Sequence, residues 1–320
     1  MQFAHTVYRC SAIATVLVAL SYRAFGSPPW AINEPFTNSV LSAGWLVQGR
    51  TNLVNKDDAG GVAVEPTNLL AESGVPNGFI RLTTTNGGYQ RVSAFYTSDW
   101  FYASDWIMEG ELNCQTGADG IAFSWVSIYT GLWVGIEGSV NETNYLLKTL
   151  GGSGGAMGVP RKIDAEPSLG CGAYLGVSGY SLQFDTYNNT AGAKKVAPSE
   201  YATIKLRNLY SWGTEASTSN LFGQSNTFAN GDWIKFRLVQ NRASNGVFNL
   251  SWGTNYENSC MWFKSGYDPA LPVMFGVSAG CGGMQSEQYV RNFRVYGETI
   301  PEPASIIAAL AFLALVRRKR

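Results

Sequence analysis

Apolar and polar residues alternate along much of the chain between Ser27 and Gly297. Ile80 and Leu82 alternate with Arg81 and Thr83. Trp106, Met108 and Leu112 alternate with Ile107, Glu109, Glu111 and Asn113. Ile234, Phe236 and Leu238 alternate with Lys235, Arg237 and Val239, and Phe248, Leu250 and Trp252 with Asn249 and Ser251. A period of two places successive side chains on opposite faces of a strand, so each stretch predicts a strand with one buried face. Turn signals separate them: Asn86-Gly87-Gly88, Asn230-Gly231-Asp232 and Asn245-Gly246. Glycine at such turns adopts positive φ without a steric penalty. Trp233–Gln240, the Asn245-Gly246 turn and Val247–Trp252 therefore predict a hairpin. The body contains no convincing amphipathic helix, no internal repeat and no composition break. Gly151–Gly158 is flanked by strand patterns and reads as a loop. Many short strands joined by polar turns predict an all-β sandwich or barrel.

The two ends carry a different pattern. Arg9 precedes an apolar run from Ala12 to Leu20, and Ala24-Phe25-Gly26 places small residues where a signal peptidase cuts. Residues 1–26 are expected to be a secretory signal peptide, with mature protein beginning near Ser27. At the other end come Pro301-Glu302-Pro303, an apolar stretch from Ile306 to Val316, and the basic run Arg317–Arg320. The apolar stretch is short of the roughly 20 residues that span a bilayer, so it suits transient membrane insertion better than permanent anchoring. This tripartite layout over 298–320 resembles a PEP-CTERM sorting signal. The resemblance implies cleavage by an exosortase-type enzyme in a Gram-negative bacterium, and delivery to the cell surface or extracellular matrix.

Composition narrows the chemistry. Only 14% of residues are charged and the formal net charge is zero. There is no electrostatic footprint for nucleic acid, since the one basic cluster is the terminal one. The only histidine is His5, inside the predicted leader. A mature chain without histidine has no Ser-His-Asp or Cys-His mechanism and no His-ligated metal. Of five cysteines, Cys10 leaves with the leader, and Cys114, Cys171, Cys260 and Cys281 remain, with no Cys-x-x-Cys pair. An even count in an exported protein favours disulfides. Three connectivities are open, with Cys171–Cys281 and Cys114–Cys260 preferred; four separate buried thiols are the alternative.

Three segments in order carry a family resemblance: Ala118-Asp119-Gly120-Ile121-Ala122-Phe123, then Tyr180–Asn189 with the core Phe184-Asp185-Thr186-Tyr187, then Phe275–Gly283 ending in Cys281-Gly282-Gly283. Val290–Val295 fits a closing strand, and a Gly-rich loop, Leu150–Gly155, lies between the first two segments. Together they resemble the bacterial legume-type (L-type) lectin domain over nearly all of residues 34–297. The resemblance implies a concanavalin A-like, two-sheet antiparallel jelly-roll sandwich over 27–297, and carbohydrate binding without catalysis. It implies sugar contacts from Asp119, from Asn189 and from backbone amides at Gly154, Gly155, Gly282 and Gly283. It also implies calcium ligands at Asp185, Tyr187 (through its carbonyl) and Asn189. Trp133, Tyr187 and Tyr201 are candidates for stacking on a sugar ring.

The chain departs from that pattern at the metals. Gln183 stands where the family has a Glu, and Thr190–Ile204 supplies neither the usual His nor the usual Asp. The transition-metal site is expected to be lost. A reduced calcium site would rest on Asp185, Tyr187 and Asn189, with Glu200 as a further donor. Two other functions compete. One is a structural or adhesive matrix protein on the same scaffold without a sugar site. The other is a sandwich-fold glycoside hydrolase using Glu109 and Glu111, although the third carboxylate position of that motif is Cys114.

Overall fold

In a computed structural model, the chain is described at residues 31–36, 44–51, 62–63, 78–84, 90–115, 119–127, 157–159, 178–187, 203–209, 211, 213–218, 231–241, 244–269, 271–283 and 286–300. These all fall in one unit that starts at Ala31. The predicted leader, the sorting segment from Pro301 onward, the loop glycines Gly154 and Gly155, and Asn189 lie outside the described residues.

Strands make up nearly all of what is described. They are β1 (Ile32–Glu34), β2 (Trp45–Thr51), β3 (Val62–Ala63), β4 (Ile80–Thr83), β5 (Arg91–Tyr96), β6 (Trp100–Cys114), β7 (Gly120–Ser127) and β8 (Ser178–Asp185). They continue with β9 (Thr203–Asn208), β10 (Thr214–Ser217), β11 (Ile234–Gln240), β12 (Val247–Gly253), β13 (Asn258–Phe263), β14 (Pro272–Gly280) and β15 (Gln288–Ile300). All pairings are antiparallel. A back sheet runs β13-β12-β11-β6-β15, with β1 and β4 on the far edge of β15. A front sheet runs β10-β9-β8-β7-β14-β5-β2-β3. The layers join at one corner, where Pro272 and Val273 of β14 pair with β6 before β14 moves into the front sheet.

The predicted hairpin is present as β11 and β12, with Phe236 opposite Trp252 and Leu238 opposite Leu250. Gly246 closes it at φ +77°, and a Cβ there would lie 2.2 Å from the Lys264 carbonyl oxygen. Between the layers lies an aromatic core. Phe123 of β7 packs 4.2 Å from Phe236 of β11 and 6.0 Å from Phe293 of β15, measured between ring centroids. Trp125 of β7 meets Trp106 of β6 at 4.9 Å. Burial of these large rings is the main stabilising term, with edge and offset contacts adding about 0.5–1.5 kcal/mol per pair.

The two sheets differ in how their second face is treated. In β11 and β12 buried and half-buried residues alternate, as in an antiparallel sheet with one solvated face. In β7, β8 and β14 almost every residue is buried. A second apolar cluster, including Ala122, Val126, Met157, Val159 and Met274, covers the outer face of the front sheet. Gly158 lies so close over β5 and β14 that a Cβ would sit 2.6 Å from the Val92 carbonyl oxygen and 2.7 Å from that of Ala279. Polar residues are trapped under this cover, among them Ser124, Ser181, Gln183 and Ser278.

The preferred Cys114–Cys260 disulfide is corrected here. Cys114, Cys260 and Cys281 carry free thiols; Cys171 lies outside the described residues. Cys260 pairs with Leu250, which pairs with Leu238, which pairs with Met108. Cys260 is thus three strands across from Met108, roughly 14 Å, and Cys114 is a further six residues along β6, roughly 20 Å. A disulfide needs Cα atoms about 4.4–6.8 Å apart, so the Cys114–Cys260 pairing is ruled out by register.

Candidate functional site

The three resemblance segments meet at one end of the front sheet. Gly120, which opens β7, stands opposite Asp185 at the end of β8 on one side and opposite Gly280 at the end of β14 on the other. Asp119 directly precedes it and is pinned between those strands. Its N–H donates to the Gly280 carbonyl at 3.0 Å, and its carbonyl accepts from the Thr186 N–H at 2.8 Å. The Thr186 hydroxyl donates to the same carbonyl at 3.2 Å. Gly120 adopts φ +146°, and a Cβ there would fall 2.0 Å from the Phe184 carbonyl oxygen, so no other residue fits. Beyond β14 the chain turns, with the Cys281 N–H donating to the Gln90 carbonyl at 2.9 Å. Gly282 then donates its N–H to the Asp119 carboxylate. Gly283 next to it is exposed.

Asp119 is only 3% exposed, and its Oδ2 has no hydrogen-bond partner among the described residues. Burial first, and the nearby Asp185 carboxylate second, push its pKa up to about 7, while the Gly282 N–H pulls the other way. Desolvation penalises the charged form, and a like charge adds to that.

Gln183 and Asp185 share one face of β8 because they are two residues apart. Each is held by a cation from β9. Lys205 Nζ lies 2.6 Å from Asp185 Oδ2, and Arg207 Nε donates to Gln183 Oε1 at 2.8 Å. In register, Lys205 stands opposite Gln183 and Arg207 opposite Ser181. Both side chains therefore lean along the strand to their diagonal neighbour, a reach open to long side chains. The other Asp185 oxygen, Oδ1, accepts the Tyr187 N–H at 3.0 Å, the local turn that Asp makes with the residue two ahead.

No protein-family model matches the chain. No curated protein matches it either. Among solved structures, lectin I-B4 from Griffonia simplicifolia, in a metal-free form, superimposes with a TM-score of 0.52 at 15% identity, covering 84% of this chain and 100% of that one. The fold is that of the legume lectins. A lectin from Bauhinia forficata in complex with GalNAc gives a TM-score of 0.49 at 16% identity, covering 83% of this chain and 97% of that one. The VIP36 exoplasmic/lumenal domain, in a Ca2+/Man3GlcNAc-bound form, gives 0.46 at 15% identity, covering 82% and 87%. At these identities the likeness concerns the fold alone.

Within the legume-lectin fold, the structure brings together Asp119, Asp185, Tyr187 and Gly282, with Gly283 on the adjoining rim. Gly154, Gly155, Asn189, Glu200, Trp133 and Tyr201 lie outside the described residues. Of the expected calcium donors, the described Asp185 carboxylate is already engaged within the chain. Calcium takes six to eight oxygens, whereas both Asp185 oxygens and the Gln183 oxygen already accept from chain donors. Among the described residues no group of three His, Cys, Asp or Glu side chains is placed to hold a metal.

Sequence reasoning missed Lys205, Arg207 and Thr186. The alternation Ile204-Lys205-Leu206-Arg207 marks a strand with two cations on one face. Its partner strand and register are not encoded in the alternation, so the cations were not linked to Gln183 and Asp185.

The carboxylates of the hydrolase alternative are engaged elsewhere in this lectin fold, on the outer face of the back sheet. Glu109 Oε1 lies 3.1 Å from Arg237 Nε. Glu111 Oε2 lies 2.7 Å from Arg291 Nη2 and 2.8 Å from its Nε, and Glu111 Oε1 accepts from Asn292 Nδ2 at 3.0 Å. Cys114, at the third motif position, is buried in the core. A separate cavity of about 210 Å³, lined in part by Trp125, Tyr180, Asn208 and Tyr267, opens at the start of β8, away from Asp119.

Proposed function

We propose that this chain binds carbohydrate at the Asp119–Gly282 end of the front sheet, and does so without catalysis. The observation that carries this reading is the Asp119 carboxylate: held between strands by backbone hydrogen bonds, with Oδ2 unpartnered among the described residues and a backbone N–H donor beside it. A buried carboxylate oxygen without a donor is costly to leave unmet, and a sugar hydroxyl is a donor of the right kind. Asn189, Gly154, Gly155 and Gly283 are the proposed further contacts. The leader at 1–26 and the sorting segment at 298–320 support export to the cell surface or extracellular polysaccharide matrix of a Gram-negative bacterium, with an exosortase-type enzyme and transient membrane insertion on the way.

Glycan-array binding of the mature chain tests the site. Saturable binding to a glycan is expected, with a loss of tenfold or more in Asp119→Ala. A wild-type array without any specific signal would favour the structural reading, a matrix protein on a lectin scaffold. That both Asp185 oxygens and the Gln183 oxygen accept from chain donors is the observation on that side. Fractionation of cells expressing the full chain tests export, with retention in the cytoplasm as the contrary result.

A further inference from the structure

We propose that β9 supplies this site with its own cations: the Lys205 ammonium stands against Asp185 where a lectin of this fold would use a divalent ion, and the site works without metal. The inference rests on the reading of Asp119 as the sugar-facing carboxylate only for its functional consequence. The substitution of ion by lysine stands on geometry alone.

The Asp185 side chain is 4% exposed and that of Lys205 is 23% exposed, and they touch at 2.6 Å. A carboxylate that deeply buried needs a compensating charge or it neutralises. The ammonium provides that charge, and Tyr187 closes the second oxygen. A calcium ion at Oδ2 would have to expel the ammonium that already occupies it. The neighbouring position shows the same replacement. Gln183 is a neutral amide whose oxygen is taken by Arg207, and it contributes no charge for a second metal. The Lys205 ammonium offsets the Asp185 charge within the chain, with no added ion. Lys205 and Arg207 come from adjacent positions on one face of one strand, so a single register between β8 and β9 sets both contacts.

Thermal unfolding of the mature chain, in EDTA and across millimolar CaCl2, tests the proposal. The midpoint is expected to be the same in both, because a ligand that does not bind the folded state cannot shift it. A saturable rise of several degrees with calcium, or a stoichiometric calcium isotherm by calorimetry, overturns it. Lys205→Gln is expected to lower the midpoint in EDTA by several degrees, and the double variant Asp185→Asn/Lys205→Gln to recover most of that loss. Lys205→Gln melting with wild type in EDTA also overturns it. If Lys205→Gln yields no folded protein, the wild-type calcium titration still decides. Glycan binding separates this proposal from the functional one. Sugar binding that EDTA abolishes defeats the internal cation and leaves the lectin reading intact. Calcium-indifferent melting with no glycan bound defeats the lectin reading and leaves the internal cation.

Discussion

Thr186 donates both its backbone N–H and its hydroxyl to the carbonyl of Asp119, 67 residues earlier in the chain, at 2.8 and 3.2 Å. One residue of the second resemblance segment thereby sets the position of the first. Thr186→Val keeps shape and backbone bond while deleting the hydroxyl. The variant is expected to lose about 1 kcal/mol in urea unfolding, the usual worth of one buried hydrogen bond. It should also bind glycan several-fold more weakly, because Asp119 is less tightly held. Unchanged stability and affinity together would show that the hydroxyl contributes nothing to the mounting.

Protonation of Asp119 gives a pH signature. Its folded-state pKa is raised to about 7, above the unfolded value near 3.9. The folded state binds the extra proton between those values, so stability falls as pH rises from about 4 through about 7. Asp119→Asn removes the titration, and its stability in urea series at pH 4 to 8 is expected to be flatter than that of wild type across that window. The ionised carboxylate is the better acceptor for sugar hydroxyls, so wild-type affinity should strengthen from pH 6 to 8. A parallel pair of stability curves would refute the shift.

Gly120→Ala tests the junction from the backbone side. At φ +146°, with a Cβ directed 2.0 Å from the Phe184 carbonyl oxygen, alanine must displace β7 from β8. A loss of about 2 kcal/mol or more is expected, since strain and a broken ladder add. The measurement is denaturant unfolding, with glycan binding reduced in step.

Deletion of a core ring should cost more and act differently. Phe123→Ala removes the ring that touches both Phe236 and Phe293 across the layers. About 3–5 kcal/mol of destabilisation is expected. If enough folded protein remains, glycan affinity should change little, because Phe123 faces the core and not the Asp119 end.

The thiols should behave as free and protected. Burial pushes the Cys281 thiol up to about 11 and that of Cys260 up to about 12, and raises that of Cys114 as well. Thiolate is the reactive form, so native alkylation followed by mass measurement should leave Cys114 and Cys281 unlabelled, with slow labelling at half-buried Cys260. All three should label after unfolding without reductant. Failure of Cys114 and Cys260 to label in denaturant would restore the bridge that the register excludes.

Much of the back sheet was readable from the chain. β6, β11 and β12 keep one face toward solvent, so polar residues recur every second position and the alternation is visible. The front strands β7, β8 and β14 are covered on both faces, which removes the alternation; only the order of short motifs pointed to them. The meeting of Asp119 with Gly282 was legible in that order.

By itself the sequence determined the all-β class and the β11–β12 hairpin, because these depend on local periodicity and local turn chemistry. Tertiary structure alone decided that Lys205 reaches Asp185, that Glu109 and Glu111 are tied to arginines, and that Cys114 and Cys260 stay apart. Each of those depends on which strands lie side by side and in what register. Lateral pairing is a long-range choice made by packing of the whole sandwich, and neither spacing nor composition along one strand carries it.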